Sequence, residues 1–216
     1  MEKLIRVLVV LGLVAVGGML LVRFFVLHAF RIPTGGMSPT YDVGSHLIAN
    51  HFDRDPERGK VIVFPFPEHP DKDFVQRIIG VGGDAVTMKS GHPWINGWEV
   101  PNCRVGTYDH LSEGDVRHSE MFVEFLGKNT FLVSIEPRPT PEVATWTMKP
   151  DHVFTVGDNR MHSYDSRLWP SQAGVDVETI WGGVTASSIP TLPADASALK
   201  SALDACLAKR PAKTIP

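Results

Sequence analysis

Two short segments of this 216-residue chain carry hydroxyl and carboxyl side chains at spacings suited to catalysis. In the first, residues 34–38, Thr34 and Ser38 stand on either side of Gly36. In the second, Gly157–Arg167, acidic, basic and hydroxyl side chains lie within a few residues of one another. A hydroxyl becomes a nucleophile when a neighbouring base accepts its proton. The chemistry therefore depends on which base lies beside these hydroxyls.

One candidate strand, Phe74–Ile79, carries Gln76, and not a lysine, in its middle. Lysine can act as a base once burial lowers its pKa towards neutrality. A glutamine amide only donates and accepts hydrogen bonds. Side chains two apart in a strand share a face, so Phe74 and Ile78 flank Gln76, and Lys72 lies a further step away. The residues therefore predict that no hydroxyl–lysine dyad forms here.

Three blocks, in order along the chain, resemble those of the type I signal (leader) peptidases. Phe30–Thr40 resembles the block that carries the family's nucleophile, and Asp73–Asp84 resembles its lysine block. Gly157–Arg167 matches the third block nearly letter for letter. Smaller matches in the same register are Gly59–Phe64, Ile95–Gly97 and Ile180–Val184. The ordered resemblance covers about residues 1–188 and is loose between residues 101 and 150.

The resemblance implies that both halves of the family's Ser–Lys dyad are replaced. The position of the attacking serine is Gly36, and that of the general-base lysine is Gln76. Thr34 stands where the family places an oxyanion-stabilising hydroxyl, and Met37 belongs to the same groove. The backbone N–H of Gly36 is retained, so the oxyanion hole is expected to be present although the nucleophile is absent.

The resemblance also implies a supporting group in the third block. Ser163 would lie beside Gln76, and Asp165 would pair with Arg167. A second layer of hydrogen bonds fixes the groups that meet the substrate. Arginine suits this role because its guanidinium presents a rigid fork to a carboxylate.

The N-terminal segment is predicted to be a membrane anchor. Residues Leu4–Phe30 are almost entirely apolar, and Val7–Leu27 supplies the roughly 20 residues that a membrane helix needs. Arg23 is close enough to the end of the span to snorkel. A cleaved signal sequence is the alternative, but its apolar core would be unusually long. The distribution of positive charge does not decide the orientation. The resemblance implies a single-pass protein of the plasma (inner) membrane, with its main domain outside.

The rest of the chain is predicted to be mainly β, a signal-peptidase-like antiparallel domain behind that one helix. We divide the chain into an anchor (1–29), the β domain (30–190, with 101–150 as a variable, cap-like insert) and a C-terminal helix and tail (191–216). The predicted strands are His46–Asn50, Lys60–Phe66, Phe74–Ile79, Ala85–Lys89, Met121–Leu126, Thr130–Ile135, His152–Val156 and Gly183–Ser188.

The composition of the chain limits the classes of ligand that it is expected to bind. The formal charge of −3 and the lack of a Lys/Arg run argue against a nucleic-acid partner. The nine histidines have no paired spacing, so neither a metal site nor another cofactor is expected. Cys103 and Cys206 could form a disulfide in an extracytoplasmic domain. Because one lies in the loosely matched insert and the other in the tail, we expect no bridge.

These observations favour a membrane-anchored homologue without the dyad, which binds extended peptide by strand addition. Its partners would be secreted or pilin-like proteins, membrane lipid through the N-terminal helix, or an active peptidase. The alternative is an active signal peptidase that uses a displaced group such as Ser38, about 6–7 Å along the strand from position 36. Shifts of about 1 Å already lower activity strongly. A third interpretation is an active parent altered at both positions to trap substrate.

Overall fold

The computed structural model describes residues 1–112, 115–138, 144–170, 174–184 and 197–211. Helix α1, Glu2–Phe25, is followed after one residue by strand β1, Leu27–Arg31. The last helix or strand in the described part of the chain is helix α2, Ser197–Leu207. The strands between them are β2 (His46–Asn50), β3 (Val61–Phe66), β4 (His69–Gly80), β5 (Ala85–Lys89), β6 (His92–Ile95), β7 (Trp98–Glu99), β8 (Asn102–Ser112), β9 (Asp115–Leu126), β10 (Asn129–Ile135), β11 (Thr145–Thr147), β12 (His152–Val156), β13 (Val175–Asp176) and β14 (Gly182–Val184).

The strands form three antiparallel sheets. The largest has seven strands in the order β1-β2-β14-β3-β4-β12-β13. A four-stranded sheet has the order β11-β5-β6-β7, and β8, β9 and β10 form a three-stranded sheet within the predicted insert. Neighbouring strands pair antiparallel throughout. The prediction of a mainly β, antiparallel fold is therefore confirmed.

The predicted strands agree best where apolar residues alternate with polar ones between clear turns. His46–Asn50, Ala85–Lys89 and His152–Val156 have their predicted bounds. The predicted strand Gly183–Ser188 is observed as Gly182–Val184, and residues 185–188 lie outside the described part of the chain. Strands β1, β6, β7, β8, β11 and β13 were not predicted.

Strand β1 corrects the sequence interpretation of the apolar N-terminal run. The run was expected to continue as helix to Leu27, but α1 ends at Phe25. Residues 27–31 pair instead with β2, with Leu27 opposite Asn50 and Arg31 opposite His46. Apolar composition did not distinguish helix from strand here because the strand continues the helix's run of apolar residues.

Across the side chains that the structure describes, no helix combines the length and the apolar character needed to cross a membrane. The described apolar side chains of α1 between Leu4 and Val16 are each more than half exposed.

The core around the candidate site is built on both faces of β3. Successive strand side chains point to opposite faces. Ile62 and Phe64 therefore pack with Ile78 of β4 in one buried cluster. Val61 and Val63 face a second cluster, which contains Ile32, Met37, Tyr41, Leu47 and Ala49. Strand β4 thus pairs with a strand that is buried on both sides.

A disulfide joins Cys103 at the start of β8 to Cys206 near the end of α2, with the Cα atoms 5.8 Å apart. The expectation of no bridge was therefore wrong. Strand β8 had not been predicted, so nothing in the sequence brought the insert and the tail together. In the structure α2 packs on β8 and β9, with Leu203 and Cys206 buried. The predicted C-terminal helix is thus part of a small core.

Replacing Cys103 and Cys206 together by Ser is expected to lower the free energy of unfolding by about 2–4 kcal/mol. The reason is that the bridge closes a long loop, with its two cysteines 103 positions apart in sequence. Urea unfolding of the oxidised full chain in detergent, compared with the double variant, measures the difference. The reduced wild type serves as the control and should match the variant. Equal midpoints for the oxidised wild type and the variant would contradict the prediction.

Candidate functional site

A cleft of about 810 Å³ opens where the first, second and third sequence blocks meet. One wall is residues 30–37, which run from the end of β1 into a short 3₁₀ turn. The other wall is residues 73–76 of β4, and residues 162–164 complete it. Of the residues singled out from the sequence, the cleft is lined by Thr34, Gly36, Met37, Gln76 and Ser163.

The nucleophile position, Gly36, is the middle of the 3₁₀ turn Gly35–Met37. Thr34 precedes the turn in extended conformation and is exposed, whereas Met37 is buried in the core. Asn159 fastens the turn to the third block. Its backbone N–H donates to the Gly36 carbonyl at 3.0 Å, and its side-chain amide donates to the Gly35 carbonyl at 3.1 Å. The turn is thus held in place although its central residue has no side chain.

Position 36 has room for a side chain. A Cβ added there would lie 3.6 Å from the Ser163 hydroxyl and 3.6 Å from the His162 carbonyl, which are ordinary contacts. The Ser163 side chain is itself buried, with the residue 9% exposed. The structure therefore brings Ser163 next to Gly36, and a residue larger than glycine would point at its hydroxyl.

Gln76 is buried and held by two hydrogen bonds. Its Nε2 donates to the Tyr164 carbonyl at 2.9 Å, and its Oε1 accepts from the Thr155 hydroxyl at 2.8 Å. Both ends of the amide are therefore engaged. Neither bond involves Ser163, the neighbour that the resemblance implied. Sequence reasoning missed Thr155, whose place opposite Ile78 in the β12–β4 ladder aims it at Gln76.

Asp165 and Arg167 form a bidentate pair. Arg167 donates from Nε to Oδ1 at 2.7 Å and from Nη2 to Oδ2 at 2.8 Å. The carboxylate is fully buried and also accepts from the Gly157 N–H at 3.1 Å. Arg167 further donates to the Arg160 carbonyl at 2.7 Å. The pair therefore fixes the fold of the third block behind the cleft.

Asp165→Ala is expected to lower the free energy of unfolding by about 3–5 kcal/mol, since it leaves the Arg167 charge and the Gly157 N–H without their partner. Thermal unfolding followed by circular dichroism measures the change. Asp71→Ala, an exposed carboxylate on β4, is the control and should leave the melting temperature almost unchanged. An equal melting temperature for Asp165→Ala and wild type would show that the pair contributes nothing.

A second buried pair joins the lysine block to the third block and was not predicted. Arg77 donates from Nε to Asp158 Oδ1 at 2.7 Å and from Nη2 to Oδ2 at 2.6 Å. Arg77 also donates to the Gly59 carbonyl at 2.6 Å, and the Thr40 hydroxyl donates to Asp158. Burial raises the pKa of Tyr41 beside this pair to about 12, against the opposing charge of Arg77. Tyr41 is therefore a neutral part of the core.

The displaced nucleophile, Ser38, does not face the cleft. Its residue is 5% exposed, and its hydroxyl donates to the Tyr41 carbonyl at 3.5 Å. It is absent from the described residues that line the cleft. The geometry therefore gives the Ser38 alternative no support.

The polar groups near the cleft do not form a metal site within the described part of the chain, where no three His, Cys, Asp or Glu side chains cluster as ligands. The cleft histidine, His162, instead meets Glu136 at 2.9 Å from its Nε2. The remaining charged lining residues are Arg31 and Asp73.

Comparisons with known proteins agree with the three blocks. The sequence profile of the family described as "Signal peptidase, peptidase S26" matches residues 3–189. Signal peptidase I of Pseudomonas aeruginosa is 32% identical over 169 residues, covering 69% of this chain and 58% of that protein. Signal peptidase I of Aquifex aeolicus is 27% identical over 184 residues, covering 69% and 72%.

The chain thus spans 58% of the length of the Pseudomonas aeruginosa relative. Among solved structures, a signal peptidase I from Enterococcus faecalis is similar with a TM-score of 0.36 and 22% identity. That likeness covers 62% of this chain and 99% of the other.

Proposed function

Since the chain belongs to the signal peptidase S26 family, we propose that it binds extended peptide segments in its cleft without cleaving them. The observation that carries this proposal is that Gly36 and Gln76, at the nucleophile and base positions, line one cleft together. Glycine has no atom that can attack, and a glutamine amide cannot take a proton near neutral pH. The cleft remains while the reacting groups are replaced.

Two strand edges border the cleft and support strand addition as the binding mode. Among the strands that the structure describes, β1 is the end strand of the seven-stranded sheet and pairs only with β2. Within the same described residues β4 pairs with β12 only over Arg77–Gly80, so residues 73–76 present their second edge to the cleft. Unpaired backbone N–H and C=O groups at such edges bind an extended peptide as an added strand.

The proposed partners are segments of secreted or pilin-like proteins, and the proposed role is that of an assembly factor or chaperone. We also propose that α1 anchors the protein in the plasma (inner) membrane as a single span, with the β domain outside. The exposed apolar side chains of α1 support contact with lipid. The Cys103–Cys206 bridge supports an oxidising, extracytoplasmic location.

The test uses the full chain purified in detergent and mixed with a preprotein or with extended apolar peptides. Binding is measured by fluorescence anisotropy, and the products are analysed by N-terminal sequencing. Binding without a new N-terminus is the expected result. Gly36→Phe should weaken binding because its ring would project towards Ser163 into the cleft. Leu168→Phe, at an exposed position, is the matched control. A cleft that binds none of these ligands would contradict the proposal.

The second candidate function is that of an active signal peptidase, and the names of the relatives favour it. Cleavage at one site by the unmodified protein, abolished by Ser38→Ala, would establish this candidate and overturn the first. Ser45→Ala, which removes a partly exposed hydroxyl outside the cleft lining, is the control for that substitution.

A further inference from the structure

The cleft contains a carboxylate without a partner. Asp73 lies on β4 at the cleft wall and makes no side-chain hydrogen bond or ion pair with any residue that the structure describes. Side chains two apart in a strand share a face, so Asp73 lies on the same face as Val75. Val75 packs against the cluster that contains Ile32 and Met37. Asp73 therefore faces the wall formed by residues 30–37.

The other charged groups near the cleft do not neutralise Asp73. Arg31 also lines the cleft, but it forms no ion pair with Asp73, and its Nη2 lies 4.0 Å from the place of a Cβ added at Gly44. His162 is occupied by Glu136. On β4 itself, Lys72 lies on the opposite face, and Asp71 carries the same negative sign. Partial burial raises the pKa of Asp73, as expected for a carboxylate without a cation beside it.

We propose that Asp73 selects bound peptides that carry a lysine or arginine side chain at the cleft. This inference rests on the proposed function and names the class of peptide for that site. An extended peptide between β1 and β4 would send alternate side chains towards this wall. A cationic side chain there would meet the unpaired carboxylate, whereas an acidic one would meet a like charge.

The effect is expected to be moderate because Asp73 is exposed to solvent. Charge pairs at exposed sites correspond to about a two- to fivefold change in affinity, and salt screens them. The preference should therefore be largest at low ionic strength. It should also fade on acidification as the raised pKa of Asp73 is crossed, because only the carboxylate attracts the cation.

The experiment uses a set of ten-residue apolar peptides that carry Lys, Gln or Glu at successive positions. Dissociation constants are measured for the full wild-type chain, Asp73→Asn and Asp73→Lys at low and high salt. Asp71→Asn on the same strand is the matched control. The expected result is a position at which wild type prefers Lys over Gln. Asp73→Asn should lose that preference, Asp73→Lys should reverse it towards Glu, and Asp71→Asn should keep it.

Equal affinity of wild type for Lys, Gln and Glu peptides at every position would overturn this inference while leaving the proposed function in place. A lysine preference that survives in Asp73→Asn would also overturn it, since another group would then be responsible. Failure to bind any peptide would instead overturn the proposed function on which the inference rests.

Discussion

A chain that carries both Gly36→Ser and Gln76→Lys is expected to cut a preprotein at one site, whereas Gly36→Ser alone is expected to leave it intact. A serine hydroxyl is a poor nucleophile without a base, and the Gln76 amide cannot accept its proton. A positioned general base typically contributes about 10²–10⁴-fold to the rate. We therefore expect the double variant to exceed Gly36→Ser by about that factor.

The surroundings of both positions suit the restored groups. A serine Cβ at position 36 would make only ordinary contacts, with the Ser163 hydroxyl 3.6 Å away. A lysine at position 76 could donate to the Tyr164 carbonyl that now accepts from Gln76. A neutral amine could also accept from the Thr155 hydroxyl, which now donates to Gln76. Burial of this position disfavours the ammonium form and lowers the lysine pKa.

Mass spectrometry and N-terminal sequencing of the products measure this prediction. Gln76→Lys alone is the control for a base without a nucleophile and should be inactive. A double variant that folds like wild type but leaves the preprotein intact would contradict the prediction. It would show that the cleft does not keep the amine neutral, and the binding function would be unaffected.

Asp158→Ala is expected to lower the free energy of unfolding by about 3–5 kcal/mol. The substitution leaves Arg77, which is 1% exposed, as a buried charge without its carboxylate. It also removes the partner of the Thr40 hydroxyl. Because Arg77 follows Gln76 directly, we expect the substitution to destabilise the cleft wall as well as the core.

Urea unfolding of the full chain in detergent measures the loss. The double variant Arg77→Met with Asp158→Leu is the informative control, because replacing both members of a buried pair by apolar residues is often nearly neutral. It should recover most of the stability that Asp158→Ala loses. A loss below about 1 kcal/mol for Asp158→Ala would show that water or a neighbouring group replaces the carboxylate.

Sequence reasoning reached the antiparallel β fold and the three blocks, because strand alternation and block order are local properties of a sequence. It missed the pair of Arg77 and Asp158, which lie 81 residues apart and meet only through the packing of β4 against the third block. The partners of Gln76 were missed for the same reason. Strand β1 was missed because its residues continue the apolar run of the helix. The disulfide was missed because strand β8, which carries Cys103, was not predicted.

Gly82 illustrates the same limit at one position. In the structure the backbone of Pro150 lies so close that an added Cβ would meet its carbonyl carbon at 2.7 Å. Glycine is the residue that permits such an approach. The requirement for glycine here therefore follows from the path of the chain at Pro150, which no pattern near Gly82 reveals.

The junction between α1 and β1 sets the distance between the end of helix α1 and the cleft. Val26 alone separates them, so the last helical Cα and the first strand Cα are at most about 7 Å apart. The Val26 carbonyl also accepts from the His51 N–H at 3.0 Å, which ties the junction to the chain just after β2. With α1 in a bilayer, as proposed, the edge of β1 would lie at a fixed, short distance from the lipid surface. Only peptide segments within a few residues of the lipid surface would then reach it.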